Sequence, residues 1–480
     1  MTRRGRDQYT AFMSVLIIGA GICGLGTALL LARDGHEVVV LDADADPPPA
    51  SAQEAWTRWE RKGVAQFRQP HNFMPGLRLL LEAELPDVQD ALRRAGACRY
   101  DLIHPLPPFF TDQSPRPIDE KLWTYTARRP VGEWVFASLL DGESNVSVRR
   151  GVRVTGLLTG TEQIPGSPHI IGVRTAGHGE MRADLIVDAT GRQSRAPAWL
   201  RDVGGRAPHE EQADSGFMYY TRYFSGTEPA RRAPTLTHLG TISVLTLPAD
   251  NNTWSVTLFT ASGDQPLKQL REENRWMNTV RACPLHAHWL DGEPLTGVLA
   301  MGGVVDRYRR FVVNGQPIAT GFTAVADAWA CTNPSAGRGL TVGFLHALQL
   351  RDVLRETASH PRWLAEEFDR RTEAEITPWY HAQIAVDRAR FAEMEALREG
   401  RAPTPPTDML AREIQALFAT ILADPDLFRA ALEYVGTITP AQEILQRPAV
   451  VEAVRAAQQR GAVTPPMPGP NRQQLLELVA

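Results

Sequence analysis

The sequence predicts an α/β fold: a Rossmann-like dinucleotide-binding domain first, then a mixed-sheet domain, then a helical C-terminal region. Three observations predict it. A strand, a glycine turn, a helix, a second strand and a terminal acid follow one another between Ser14 and Asp42. Two later strand-to-loop junctions, at Asp188 and Asp327, carry an acid beside small residues and lead into Gly-containing loops. Beyond about residue 356, apolar residues recur at three- and four-residue spacing, the period of helices with one buried face.

The N-terminal element is the most specific. Val15 to Ile18 is a short, mostly β-branched run, the composition of a strand buried on both faces. Gly19-Ala20-Gly21-Ile22-Cys23-Gly24 then supplies G-x-G-x-x-G, Leu25 to Arg33 continues as a helix, and Gly35 stops it. Val38 to Leu41 is a second buried strand, with Asp42 at its end and Ala43 behind it. Gly19 permits the tight turn, Gly21 lets a pyrophosphate approach the backbone, and Gly24 lets the helix pack on the strand. The helix N-terminus offers free N–H groups to phosphate. Ile22 and Cys23 belong to this cofactor-facing turn by position. Asp42 follows Gly24 by 18 residues (42 − 24), where its carboxylate can accept ribose hydroxyls. An acid there favours a free 2′-hydroxyl, hence FAD or NAD(H) over NADP(H).

Bulk properties exclude other classes. At 480 residues the chain is long enough for two or three subdomains. A net charge of −4 gives no electrostatic case for nucleic acid. Cys23, Cys98, Cys283 and Cys331 lie far apart without metal-ligand spacing, so neither a zinc site nor a disulfide framework is expected, and a reducing cytoplasm is. Arg3, Arg4 and Arg6 before an apolar run imitate a secretion signal, but the glycines inside that run fit the dinucleotide turn, and no membrane span is expected. The only lysines are Lys62, Lys121 and Lys268.

Two later segments choose between FAD and NAD. Ala183 to Gly191 is an apolar strand ending in Asp188-Ala189-Thr190-Gly191, followed by Arg192-Gln193-Ser194. Gly321 to Ala328 contains Asp327 and leads through Asn333-Pro334-Ser335-Ala336-Gly337-Arg338-Gly339 into a helix from Leu340 to about Leu354. With the N-terminal fingerprint, these segments resemble, in order and spacing over residues 14–355, the group A flavin monooxygenases of the para-hydroxybenzoate hydroxylase fold. The resemblance implies FAD. It places Asp188, Ala189 and Gly191 near the cofactor, Asp327 at the ribityl chain, and Pro334, Gly337 and Gly339 beside the flavin ring. Arg61-Lys62-Gly63-Val64-Ala65-Gln66 and Arg129-Pro130-x-x-Glu133 are similar to segments of the bacterial polyether epoxidases, relatives of squalene epoxidase, and imply cofactor contact for Arg61, Gln66 and Arg129. Val154 is expected beside the adenine or, equally, in the core. The chain departs from the pattern at Ala326, where the family usually has glycine, at Ala65 and at Arg338.

The expected organisation is FAD-binding domain 14–210, substrate-binding sheet 211–315, FAD-binding domain resumed 316–356, and helical region 357–480. Tyr219, Tyr220, Tyr223, Phe224, Trp254, Phe259 and Trp276 are candidate walls of an apolar pocket or ordinary core. His71, between Pro70-flanked and Phe73-flanked positions, reads as a packed histidine. No second G-x-G-x-x-G is present, so electrons would come from visiting NADH or NADPH, or from a partner flavin reductase.

The resemblance implies reaction with O2 through a flavin C4a-hydroperoxide and epoxidation or hydroxylation of a largely apolar small molecule. The sequence names no catalytic residue, no metal ligand and no oligomeric state. Two alternatives stand: a reductase resembling the geranylgeranyl reductases, and a non-catalytic binding protein on the same fold, like the prenyl-escort proteins. The Trp-x-Trp-x-Ile-Pro segment of flavin halogenases is missing.

Overall fold

The apolar runs flanking the glycine turn become β1 (Ser14–Ile18) and β2 (Glu37–Asp42), joined through α1 (Ile22–Arg33). The computed structural model describes residues 12–104, 106–214, 216–357, 360–461 and 465–480, so Arg3, Arg4 and Arg6 lie outside the described residues. α1 begins at Ile22 rather than Leu25, because Gly21 is an extended N-cap and the last fingerprint residues already form the first turn. β1 and β2 pair in parallel, Val15 beside Val38 and Ile18 beside Leu41.

After α2 (Arg129–Leu140), β3 (Val146–Arg150) extends this sheet alongside β2. An antiparallel meander follows, β4 (Val154–Ile164), β5 (Ser167–Thr175) and β6 (Gly179–Arg182). β7 (Leu185–Asp188) then pairs with the free side of β1. Side-chain alternation in β1 explains the layering. Val15 and Ile17 point to a core shared with α1 and α2, whereas Leu16 and Ile18 point to a core shared with the meander.

The second sheet comprises β8 (Phe217–Ser225), β9 (Leu236–Leu239), β10 (Ile242–Pro248) and β11 (Thr253–Ala261), all antiparallel, in the order β9-β10-β11-β8. Glu293–Pro294 and Leu299–Met301 pair with the outer side of β8. α3 (Glu273–Arg281) covers the back of this sheet, burying Trp276 against Tyr220, Phe224 and Trp254. The chain returns through β12 (Val305–Arg310) to β13 (Phe322–Ala324), which closes the parallel sheet beside β7 in the order β13-β7-β1-β2-β3.

The rest is helical, as the spacing predicts. α4 (Gly339–Thr357) packs on α1, and α5 (Pro361–Arg371) runs through a π-helical turn, Thr372–Ile376, into α6 (Thr377–Arg398). α7 (Met409–Thr420), α8 (Pro425–Val435) and α9 (Pro448–Gln459) form a separate apolar cluster with α6. α10 (Arg472–Val479) returns to the back of the second sheet, where Leu475 and Val479 are buried. Among the described residues no helix is long and apolar enough to cross a membrane, and no group of three or more His, Cys, Asp or Glu residues could hold a metal ion.

Candidate functional site

Three loops leave the C-terminal ends of neighbouring parallel strands β2, β1 and β7, and a fourth leaves β13, so their tips meet at one edge of the sheet. Open α/β sheets bind ligands at such an edge. The glycine turn has the geometry its sequence requires. Gly19 adopts φ +106°, and a Cβ there would lie 2.6 Å from the Ala189 carbonyl oxygen. A Cβ on Gly24 would lie 2.0 Å from the Gly19 carbonyl oxygen and 3.3 Å from the Ala189 Cβ. Gly21 differs, since a Cβ there would meet nothing within 4 Å. The turn is therefore closed on its protein side and open where a pyrophosphate would lie, and these residues fit FAD.

Asp42 sits at the end of β2, buried. Its Oδ2 accepts the Ala20 N–H at 2.6 Å and Arg61 Nη2 at 2.7 Å, and its Oδ1 accepts the Asp44 N–H at 2.8 Å. A carboxylate has about four acceptor positions, so one remains for a ribose hydroxyl rather than the two that the sequence predicts. Arg61 is the reason. Its guanidinium bonds Asp42, Asp44 Oδ2 at 2.9 Å, the Ala20 carbonyl at 2.9 Å, and Glu133. Glu133, fully buried, also accepts Arg129 Nε at 3.0 Å. Arg129 Nη1 reaches His71 Nε2 at 3.0 Å, while His71 Nδ1 donates to the Gln69 carbonyl at 2.9 Å. Those partners fix His71 as a neutral ring accepting at Nε2. Burial, and then the Arg129 charge, push its pKa down to about 3. His71 is the packed histidine its flanks predict, and it holds Arg129.

Beside the acid, a cavity of about 650 Å³ is lined by Ala45, Pro47 to Ala50, Trp134, Ser138, Asp141 and Arg150. Both terminal nitrogens of Arg150 are buried there without a hydrogen-bond partner among the described residues. Ala43 is exposed next to this region, whereas Val154 packs in the core with Leu157 and Ile170. Gln66 is half-buried in the turn after Arg61.

Asp188 serves its own loop: its carboxylate accepts Thr190 N–H at 2.9 Å, Thr190 Oγ1 at 2.6 Å and Ser194 Oγ at 2.5 Å. Burial raises its pKa and those hydroxyls oppose the rise. Gly191 follows with φ +74° and open space beside it. Asp327 has different surroundings. Its carboxylate accepts no hydrogen bond among the described residues, and burial raises its pKa against the pull of Arg129 and Arg192. Burial, reinforced by the Asp327 charge, pushes the Cys23 thiol up to about 12 against the pull of Arg129, so it remains protonated.

Ala326 carries a φ of +52°. That left-handed conformation costs an L-residue roughly 1 kcal/mol or more, which explains why glycine suits this position. The methyl is accommodated because Gly343, opposite, has none: a Cβ there would lie 2.9 Å from Ala326 Cβ and 2.8 Å from Cys23 Sγ.

The loop Pro334 to Gly339 closes the other end of the site, with Pro334 and Gly339 exposed and Gly337 left-handed at φ +68°. A Cβ on Gly337 would lie 3.6 Å from Met74 Cε and 3.9 Å from Asn72 Cβ, so segment 72–74 faces the loop. Asn333 Nδ2 and Asn72 Oδ1 are both buried without partners among the described residues, a spare donor and a spare acceptor on the two facing segments. A heteroaromatic ring with mixed donors and acceptors, such as the flavin's, fits such a pair.

β8 presents its front face to this end. Tyr219 donates to Asn333 Oδ1, Thr221 donates to Gln69 Oε1 at 2.8 Å, and the Tyr223 ring lies 4.9 Å from that of Trp56. Alternation along β8 thus divides the seven aromatics named from the sequence. Tyr220, Phe224, Trp254 and Trp276 fill the back core, while Tyr219, Tyr223 and Phe259 belong to the front. Gln69 and Arg150 also escaped the sequence reading, and Glu133 entered it only as part of the Arg129-Pro130-x-x-Glu133 segment, without its role as acceptor for Arg61 and Arg129. The i, i+4 spacing of Arg129 and Glu133 was the one local signal for any of them.

The comparisons agree with this geometry. Residues 14–120 match the family model described as FAD dependent oxidoreductase. Protein Rv3254 of Mycobacterium tuberculosis is 26% identical over 381 residues, covering 74% of this chain and 76% of that protein. The structure of PqsL from Pseudomonas aeruginosa, described as "a probable FAD-dependent monooxygenase", superposes with a TM-score of 0.58 at 17% identity, covering 80% of this chain and 99% of that one. OxyS anhydrotetracycline hydroxylase from Streptomyces rimosus superposes with a TM-score of 0.54 at 17% identity, covering 88% of this chain and 76% of that one. Residues 14–120 are thus similar to the FAD dependent oxidoreductase family, and the chain as a whole has the fold that PqsL and OxyS share.

Proposed function

We propose that this protein is an FAD-dependent monooxygenase that epoxidises or hydroxylates a small molecule held between the 333–339 loop and the front face of β8. The observation that carries the reading is a set of features: an open glycine turn beside the buried Asp42, a spare donor and acceptor on the facing segments 333–339 and 72–74, and a mixed aromatic and hydroxyl wall that meets Asn333 through Tyr219. When bound, FAD supplies the redox chemistry and the activation of O2. The chain's residues bind and orient. Gly21 and the α1 N-terminus would face the pyrophosphate, Asp42 would take a ribose hydroxyl, and Asp327 would be open to the ribityl chain. The front face would position the substrate and exclude water, which oxygen transfer requires.

That wall also refines the substrate. Thr221 and Thr257 share a hydroxyl contact of 2.8 Å, and the Tyr223 hydroxyl is buried without a partner among the described residues. The favoured substrate is an apolar skeleton bearing at least one hydrogen-bonding group, rather than a pure hydrocarbon. NADH, NADPH or a partner reductase would supply the electrons.

The deciding experiment is the visible spectrum of purified protein, followed by NAD(P)H addition under ¹⁸O₂ with candidate substrates. A flavin spectrum and product carrying one labelled oxygen would support the reading. Reduced product without label would replace it with a reductase, and a colourless protein that FAD cannot reconstitute would remove it.

A further inference from the structure

The cluster that the reading above leaves unused lies where α6 crosses the 333–339 loop. Asp387, on α6, is 1% exposed. Its Oδ1 takes a short hydrogen bond from the Ser335 hydroxyl, and its Oδ2 accepts Gln383 Nε2 at 3.0 Å. Gln383 Nε2 also donates to Ser335 Oγ at 2.9 Å, closing a triangle between helix and loop. Gln383 Oε1 takes a long contact of 3.4 Å from Arg338 Nη1.

Three other charged or titratable groups bear on this triangle. Asp306, from β12, accepts the Asn333 N–H at 2.5 Å. Tyr219, from β8, donates to Asn333. Arg338, from the loop itself, lies with its guanidinium 3.8 Å from the ring centre of Tyr434 on α8. Arg338 is the cation that acts on Asp387, yet no ion pair joins them, because the guanidinium is committed to Tyr434 and Gln383. A buried carboxylate without an ion pair favours its neutral form. Burial here pushes the Asp387 carboxyl up to about 7, with Asp306 adding to the rise and Ser335, Gln383 and Arg338 opposing it.

We infer that Asp387 is a positioning residue for the cofactor-side loop, acting through Ser335: its protonation reverses the hydrogen bond between them and releases the Ser335 hydroxyl to donate outside the triangle. Ionised, Asp387 accepts the Ser335 proton and holds it. Protonated from solvent, the acid donates to Ser335 Oγ, which keeps its own proton and is half-exposed enough to offer it elsewhere. No bond other than O–H is made or broken, and the proton exchanged comes from water and returns to it. The inference rests on the reading that the loop lies beside the flavin ring, so the acceptor is the bound cofactor or a group next to it.

The test measures the reduction potential of the FAD-loaded protein from pH 5.5 to 8.5 for wild type, Asp387→Asn and Ser335→Ala. Wild type is expected to change slope near pH 7. Both variants are expected to lose that change, with Asp387→Asn keeping the triangle's shape. Parallel wild-type and Asp387→Asn curves would overturn the proposal. A change of slope that disappears in Asp387→Asn but persists in Ser335→Ala would overturn the route through Ser335. Should the chain take up no FAD, the functional reading falls on that ground alone. The proposal is then read from cofactor-free protein: the melting temperature of wild type relative to Asp387→Asn should drop as pH rises from 5 to 7, and a constant difference between the two would overturn it.

Discussion

Gly21 and Gly24 stand in one six-residue motif and yet lack side chains for opposite reasons. Gly24 faces the Gly19 carbonyl, so Gly24→Ala drives a methyl into backbone 2.0 Å away. Forced overpacking of this kind costs about 1–3 kcal/mol or more, and the variant is expected to melt lower whether or not FAD is present. Gly21→Ala meets nothing within 4 Å in the protein. It is expected to fold and melt as wild type without cofactor and to bind FAD at least about tenfold more weakly, since the methyl fills the space that a pyrophosphate needs. Thermal melting with and without FAD, paired with fluorescence titration, separates the two, and equal behaviour would contradict the site. Residues such as these were legible because the motif is contiguous: turn, helix start and acid all lie within one chain segment. Gln69 and Asp387 were not. Each acquires its role by meeting residues far along the chain, and each is a residue type that usually faces water.

At the scale of elements, α4 locks its junction with β13 through a histidine. His346 is fully buried, its Nδ1 accepts the Ala326 N–H at 3.3 Å, and its Nε2 donates to Thr372 Oγ1 at 3.1 Å. Its ring stacks on Phe368 with centroids 4.8 Å apart. Burial pushes its pKa down to about 3. The unfolded chain takes up this proton near pH 6.5, whereas the folded one resists it until far lower. Stability is thus fully present above about pH 6.5 and is lost as pH falls, by roughly 1.4 kcal/mol per unit for this residue. Urea denaturation at pH 7.0 and 5.5 should show that loss in wild type and a smaller one in His346→Gln. An identical loss in both would show that the acid sensitivity lies elsewhere. Helix α4 itself was predicted almost to its ends by apolar periodicity and the preceding Gly339. The π-helical turn after α5 was not, because no residue there signals it.

At the scale of the molecule, the last helix closes a core begun two hundred residues earlier. Arg472 pairs with the buried Asp264 at 2.5 Å, and Leu475 and Val479 fill the core behind the second sheet. Burying such side chains stabilises by about 1.5–3 kcal/mol each. A chain ended after Pro470 is expected to lose several degrees of melting temperature while its FAD spectrum, if retained, stays that of the full chain. An unchanged melting temperature would mean that α10 is not part of the working fold. The sequence indicated a helical C-terminal region. It could not indicate the return to the second sheet, since amphipathic spacing says that a face is buried but not against what.

The network at Asp42 has a consequence for solution behaviour. Three carboxylates, Asp42, Asp44 and Glu133, meet the guanidinium groups of Arg61 and Arg129 directly, and Arg150 lies within their field. Acids and bases there are equal in number, and most are shielded from solvent. Added salt screens exposed charges within about 10 Å at 0.1 M, but a neutral buried cluster offers it little to screen. At the adenosine end, then, cofactor retention should be governed by shape and hydrogen bonding, and ionic strength should leave it nearly untouched.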